Sequence, residues 1–308
     1  MQKHIGIIGK GMIATGLSVL FTGNGIAVTQ LAKDEETGRK RYRTYYDDLI
    51  SQGLVTKKQA EVCEKLLSFT EDYSAFADER VIFECVVENI ETKFEVYSKL
   101  EAACSELIAI ASTTSSISPL DLAKGMQAKE KIMVAHPWNP PHLVPCVELV
   151  KNDFTSSEAV DSVKELLEYA GREVAMMYKP APGFIGNRLQ HALYREAAYM
   201  VEQGICGPED IDKTIRSSFG PRYTSIGLFD HFDYAGLDMV LSIEDYLFPT
   251  LSDAHAAPEL IRERVNRGDL GYKTGKGVYD WTSRDMDEFR NRASSPYLKF
   301  FNWKLPKK

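Results

Sequence analysis

The stretch from Lys3 to Gly16 restricts the fold more than any other part of the chain. Lys3-His-Ile-Gly-Ile-Ile8 predicts a short buried strand. Gly9-Lys-Gly11-Met-Ile-Ala14-Thr-Gly16 follows, then an apolar helix to about Thr22, a close at Gly25 and a second strand over 27–32. Strand, glycine turn, helix and strand form the unit that holds a dinucleotide at the edge of a parallel sheet. Gly9 permits the tight turn and Gly11 lets the backbone approach a pyrophosphate. Ala14, small in place of a third glycine, keeps helix and sheet close. The first helical amides, at Met12 and Ile13, supply donors to the anion.

The second strand in such a unit normally ends in an acid that holds the ribose hydroxyls. Here that position is Ala32, followed by Lys33, with Arg39, Lys40, Arg41 and Arg43 soon after. A small residue beside a cation suits a 2′-phosphate. Asp34 or Glu35 could instead serve the ribose from a shifted turn, with the basic run a solvated helix face. The cofactor is therefore NAD or NADP, and the residues leave the choice open.

The 308 residues suggest two domains, and 44% apolar with 26% charged is an ordinary globular balance. The net charge of −7 argues against a nucleic-acid partner. The five cysteines show no CxxC spacing, which fits reduced thiols in a cytoplasmic setting. No signal peptide, membrane span or metal site is expected.

Residues 36–68 predict one or two helices, with Tyr42, Tyr45, Tyr46, Leu49 and Ile50 at helical spacing. Val81 to Val87 predicts a strand buried on both faces, ending in Glu88-Asn89, with Lys93 one turn into the next helix. Polar groups at such a strand end face the ligand crevice. A strand over 107–111 runs into Ser112-Thr-Thr-Ser115-Ser116, where one hydroxyl is expected to cap the helix at Pro119-Leu120.

Lys131 to Ala135 is an apolar strand that runs into His136-Pro-Trp-Asn139-Pro-Pro-His and then a second apolar run ending at Glu148. Folding back sets the imidazole beside the carboxylate, the layout of a general base and its orienter. A packed histidine with Glu148 in a surface ion pair is the plainer alternative. A helix over 158–169 and a strand over 173–178 precede Lys179-Pro-Ala-Pro-Gly183, where the strands stop. Helical patterns then run to about Arg267, and Lys273-Thr-Gly-Lys-Gly277 lies in a glycine-rich loop before a polar tail. The expected fold is α/β: a Rossmann-type parallel sheet domain (1–183) with an all-helical C-terminal domain (184–308). The aromatics of the latter (Tyr194, Tyr199, Phe229, Phe232, Tyr234) read as a homodimer surface or as that domain's own core.

From Ile5 to Trp281 the chain resembles the L-3-hydroxyacyl-CoA dehydrogenases and their gulonate 3-dehydrogenase (lambda-crystallin) and carnitine dehydrogenase relatives. The Gly turn, Glu88-Asn89 with Lys93, the Ser-rich strand exit, His-x-x-Asn-Pro, Pro-Gly-Phe-Ile-x-Asn-Arg and Lys-Thr-Gly-x-Gly-x-Tyr carry the likeness, in order. The resemblance implies His136 as acid/base with Glu148 as its partner, and Ser115 and Asn187 on the reacting oxygen. It gives the cofactor Glu88, Lys93, Ser115 and Lys273, which join Gly9, Gly11, Met12, Ile13, Lys33 and Asn139 in the expected cofactor site. A 3-hydroxyacyl-CoA is the substrate it implies first, with the basic run over 39–43 holding the CoA phosphates.

Three departures qualify this. Ala32 breaks the acid position. The turn after His136 is closer to the gulonate and carnitine branch. Arg222, in Gly220-Pro-Arg222-Tyr223, could pair a free substrate carboxylate, or a nearby Asp. A small free 3-hydroxy acid is thus the second expectation, and an idle crystallin-like protein or a nucleotide-binding sensor the non-enzymatic ones. The set His136, Glu148, Ser115 and Asn187 has no use in an idle protein.

Overall fold

A computed structural model describes residues 4–306. Lys3 of the predicted first strand and the Lys307-Lys308 tip lie outside the described residues. In chain order the elements are β1 (His4–Ile8), α1 (Met12–Gly23), β2 (Ala27–Leu31), α2 (Glu35–Ser51), α3 (Lys57–Glu64), β3 (Leu67–Thr70), β4 (Val81–Glu84), α4 (Ile90–Ala103), β5 (Ala109–Ser112), α5 (Pro119–Leu122), β6 (Ile132–Pro137), β7 (Cys146–Val150), α6 (Ser157–Tyr169) and β8 (Glu173–Met177). After these come α7 (Gly186–Glu202), α8 (Pro208–Ser217), α9 (Leu228–Ala235), α10 (Leu237–Leu247), α11 (Glu259–Asn266) and α12 (Met286–Leu298). The chain forms two compact units: residues up to Ile185 with those from Arg290 onward, and Gly186–Phe289.

The first unit is built on one sheet of order β3-β2-β1-β4-β5-β6-β7-β8. All neighbours are parallel except β6 and β7. The near-continuous apolar strands are explained by burial on both faces. Ile5, Ile7, Val81, Phe83, Met133 and Ala135 join one core with α1, α2 and α6. Ile8, Ile82, Ile132 and Val134 alternate onto the other, under α4 and α5.

Three differences from the sequence expectation have local causes. Leu67–Thr70 is an edge strand where helix was expected; only Leu67 of its four residues is buried, so its pattern is faint. The strand from Val81 stops at Glu84, whose carboxylate accepts the Val86 amide at 2.8 Å. Helix α5 is capped by Ser118, not by one of the five hydroxyls before it.

The second unit is helical. Among its described residues only Ala198 is buried. The chain from Arg290 onward groups with the sheet unit, whereas the sequence expectation carried the second domain to 308. Trp303 is 8% exposed and covers Gly23, where a Cβ would lie 2.3 Å from its ring. The Lys304 amide donates to Asn24 Oδ1 at 2.9 Å, and its ammonium sits 3.5 Å from the Tyr169 ring centre. No described helix is long and apolar enough to cross a membrane.

Candidate active site

The strand order turns from β1 outward to β2 on one side and to β4 on the other, and ligands in such sheets bind at the carboxyl ends beside that switch point. The glycine turn lies there. Gly9 has φ 137°, and a Cβ on it would sit 2.4 Å from the Cys85 carbonyl oxygen, so only glycine fits. Its amide donates to Leu31 O at 3.3 Å, and buried Gln30 donates to its carbonyl at 2.8 Å. Gly11 is the N-cap of α1 without a side-chain cap, and the space where its Cβ would point is open. That is the cradle a pyrophosphate needs, beside Met12 and Ile13.

Ala32 is 7% exposed and Lys33 is exposed. Asp34 caps α2 by accepting the Thr37 amide at 3.0 Å. The hydrogen bonds from Thr37, aided by Lys10, hold its carboxyl below the usual range. Arg39 pairs with Glu35 at 2.7 Å and Arg43 with Glu64 at 2.8 Å. Arg41 instead donates to the carbonyl of Lys10 in the glycine turn.

Below the end of β4 lies a carboxylate that the sequence expectation did not single out. Glu84 is fully buried, and so, to 1%, is Lys93, whose ammonium sits 2.8 Å from Glu84 Oε1. Tyr97 and Ser112 donate to Glu84 Oε2 at 2.9 and 2.7 Å. A buried charge needs such pairing. Lys93 also reaches Glu88 Oε2 at 3.6 Å, and Ser116 donates to Glu88 Oε1 at 2.9 Å, as does Thr114. Partial burial pushes the Glu88 carboxyl up, but these hydroxyls and Lys93 together hold it below its usual range. Ser115, between the two hydroxyls that hold Glu88, is exposed. A charged residue inside a strand apolar on both sides was the available signal for Glu84.

The antiparallel pairing of β6 and β7 sets His136 directly opposite Glu148. His136 Nδ1 lies 2.7 Å from Glu148 Oε2, with exposures of 8% and 1% for the two residues. Glu148 Oε1 accepts the Ile185 amide at 2.7 Å. Both carboxylate oxygens are thereby fixed, and Nε2 is the ring nitrogen left for a substrate. The rings of Phe184 and Trp138 stand 5.4 and 6.1 Å from the imidazole. The surface ion pair entertained for Glu148 is excluded by its burial. Asn139 is exposed in the turn after β6. That turn returns to α1 at Gly16, where a Cβ would lie 2.6 Å from Pro141 Cγ.

In the second unit, Asn187 is half-buried in the first turn of α7 and Lys273 is exposed in the turn Tyr272–Thr274. Arg222 meets no carboxylate among the described residues; it donates to His231 Nε2 at 2.7 Å, in place of the Asp pairing considered from sequence. No group of three or more His, Cys, Asp or Glu among the described residues is arranged to hold a metal ion.

The described geometry agrees with what comparison with known proteins gives. Residues 4–180 match the 3-hydroxyacyl-CoA dehydrogenase NAD binding domain, and residues 183–281 match the C-terminal domain of the same enzymes. The L-carnitine dehydrogenase of Streptomyces coelicolor is 32% identical, over 85% of this chain and 83% of its own. The solved structure of 5-formyl-3-hydroxy-2-methylpyridine 4-carboxylic acid 5-dehydrogenase, an NAD+ dependent dismutase, superposes with a TM-score of 0.85 at 26% identity, covering 98% of this chain and 97% of that one. That of (S)-3-hydroxybutyryl-CoA dehydrogenase from Ralstonia eutropha gives 0.76 at 26% identity, covering 92% and 100%. The chain belongs to the 3-hydroxyacyl-CoA dehydrogenase family and is a nicotinamide-dependent oxidoreductase acting on a CH–OH group.

Proposed function

We propose that the protein interconverts a 3-hydroxy substrate and its 3-oxo counterpart, with His136 as general acid/base. What carries this is the buried His136–Glu148 pair at 2.7 Å. The carboxylate fixes the tautomer with the proton on Nδ1, so Nε2 is free to take the proton of the substrate hydroxyl. Glu148 stabilises the imidazolium formed, and in the reverse direction Nε2 returns the proton. Ser115 and Asn187 hydrogen-bond the reacting oxygen, a role that rests on the family likeness. A bound nicotinamide supplies the hydride acceptor and donor. The open space at Gly11 and the uncapped start of α1 fit its pyrophosphate. Glu88, Lys93, Asn139 and Lys273 are assigned to the cofactor on the same likeness.

Between the two substrate classes expected from sequence, we favour a small free 3-hydroxy acid over a 3-hydroxyacyl-CoA. Arg39 and Arg43 are paired with Glu35 and Glu64, and Arg41 is turned to the glycine loop, which among the described residues leaves exposed Lys40 as the one open cation of the run and makes it a poor field for CoA phosphates. Arg222 meets no carboxylate among the described residues and is the fork a substrate carboxylate would use. The test is a matrix of initial rates, acetoacetyl-CoA against a panel of small oxo and hydroxy acids. Turnover of a free acid that falls on Arg222→Gln is expected. Fast turnover of acetoacetyl-CoA, unchanged in that variant, would restore the acyl-CoA assignment.

We also propose a homodimer. In the second unit Phe229, Tyr234 and Tyr246 are 88%, 90% and 82% exposed, so they are not that unit's core. Exposed large aromatic side chains in this number suit an association face.

A further inference from the structure

At the end of β2, the position where an acid usually reads the ribose is Ala32, with Lys33 next in the chain and Lys10 and Arg41 brought near from the glycine turn and α2. Ala32, 7% exposed, offers only a methyl group there, and Lys33 follows it on the surface. The Gly9 amide bonds to Leu31 O, which brings the glycine turn, and with it exposed Lys10, against this strand end. Arg41, from α2, lays its guanidinium on the Lys10 carbonyl.

Of the four nearby carboxylates, two are paired with arginines and two are exposed. Asp34 accepts the Thr37 amide, is exposed, and shares the charge of Lys10. Glu35 is held by Arg39, and Glu64 by Arg43 and Arg39. Glu36 is exposed in the first turn of α2. Arg41 spends one N–H on Lys10 and has further donors in its planar fork, the geometry that suits phosphate oxygens. A bare ribose would find no carboxylate at Ala32 to accept its hydroxyls; a 2′-phosphate would find Arg41 and Lys33, with Lys10, which also faces Asp34, as a third cation.

We propose that Arg41, Lys33 and Lys10 form a 2′-phosphate subsite, so that the hydride carrier is NADP rather than NAD. This rests on the nicotinamide-dependent function proposed above and adds the cofactor's phosphate to it. It sets the chain apart from the dismutase it superposes on, which is described as NAD+ dependent.

The test is equilibrium binding to the intact protein, with no turnover required. NADPH and NADH are titrated separately by the fluorescence of the reduced nicotinamide. Adenosine 2′,5′-bisphosphate and 5′-AMP then compete for the same site. NADPH is expected to bind about tenfold or more tightly than NADH, and the bisphosphate to compete better than 5′-AMP by a similar factor, since a charge-assisted hydrogen bond is worth about that much. Arg41→Ala is expected to remove most of the preference while NADH affinity stays within about threefold. Lys33→Ala, which leaves the glycine turn untouched, is expected to act in the same direction. Ala32→Asp is expected to reverse the preference.

NADH binding as tightly as NADPH to the unaltered protein would overturn the subsite and leave the dehydrogenase proposal standing. Binding of neither would overturn both. Equal losses for the two cofactors in Arg41→Ala, with no change in Lys33→Ala, would make Arg41 a support of the turn and overturn its assignment.

Discussion

At the scale of the residue, the Glu84–Lys93 pair and His142 show two ways in which the sheet unit holds a buried ionisable group, paired or neutral. Glu84 and Lys93 are almost wholly out of water and survive there because each has several partners. His142 takes the other course. It is 6% exposed, its Nδ1 has no hydrogen-bond partner among the described residues, and it packs on the Tyr45 ring at 4.7 Å. Burial, with a contribution from Arg172, pushes its pKa down to about 3. Protonation therefore favours the unfolded chain, where an ordinary histidine titrates near 6.5. The stability this neutral ring contributes is complete above that pH and is lost as pH falls toward 3. Urea unfolding of the unaltered protein is expected to lose up to about 1.4 kcal/mol per pH unit more than His142→Phe between pH 6 and 4. Parallel pH curves for the two proteins would show that the ring is not the group responsible.

At the scale of the element, the hairpin of β6 and β7 turns a strand ending into a catalytic pair, and the loop between its strands is braced on α1. Gly16 is the contact point: an added Cβ would meet the rigid Pro141 ring at 2.6 Å. Gly16→Ala is expected to lower stability by about 1–3 kcal/mol, the cost of overpacking, and to reduce turnover because the displaced loop follows directly on the strand that carries His136. Unchanged unfolding midpoint and rate in that variant would mean that the loop has room to move.

This level was largely legible in the sequence. The alternation of apolar residues and the glycine turn gave the strands near the switch point, and the run from Val134 to Glu148 gave the pair. What escaped were features without a periodic signal: the four-residue edge strand at Leu67, and Glu84, hidden in a run that otherwise reads as apolar. Gln30, which fixes the glycine turn from within β2, was equally silent, because a hydrogen bond to a backbone carbonyl leaves no spacing to read. Charge pairing was invisible too. The run over 39–43 looks like an open basic face until Glu35 and Glu64 are found against it.

At the scale of the whole molecule, the sheet unit has its own double-sided core, while the helical unit buries almost nothing among its described residues. A unit so poor in core needs another surface to cover it. Sedimentation equilibrium is expected to give twice the 34.7 kDa chain mass, and a charge placed at Phe229 or Tyr246 to shift it toward the monomer. A monomer at micromolar concentration, stable to heating, would contradict the dimer.

The central claim is that His136 moves the proton and is not needed to hold the cofactor. It is tested most directly by His136→Gln, with turnover and cofactor binding measured on the same preparation. Turnover is expected to fall by about 10²–10⁴, the usual contribution of a positioned acid/base, with the dissociation constant of the reduced cofactor nearly unchanged. Turnover retained within a few-fold, or lost together with cofactor binding, would contradict the assignment of His136.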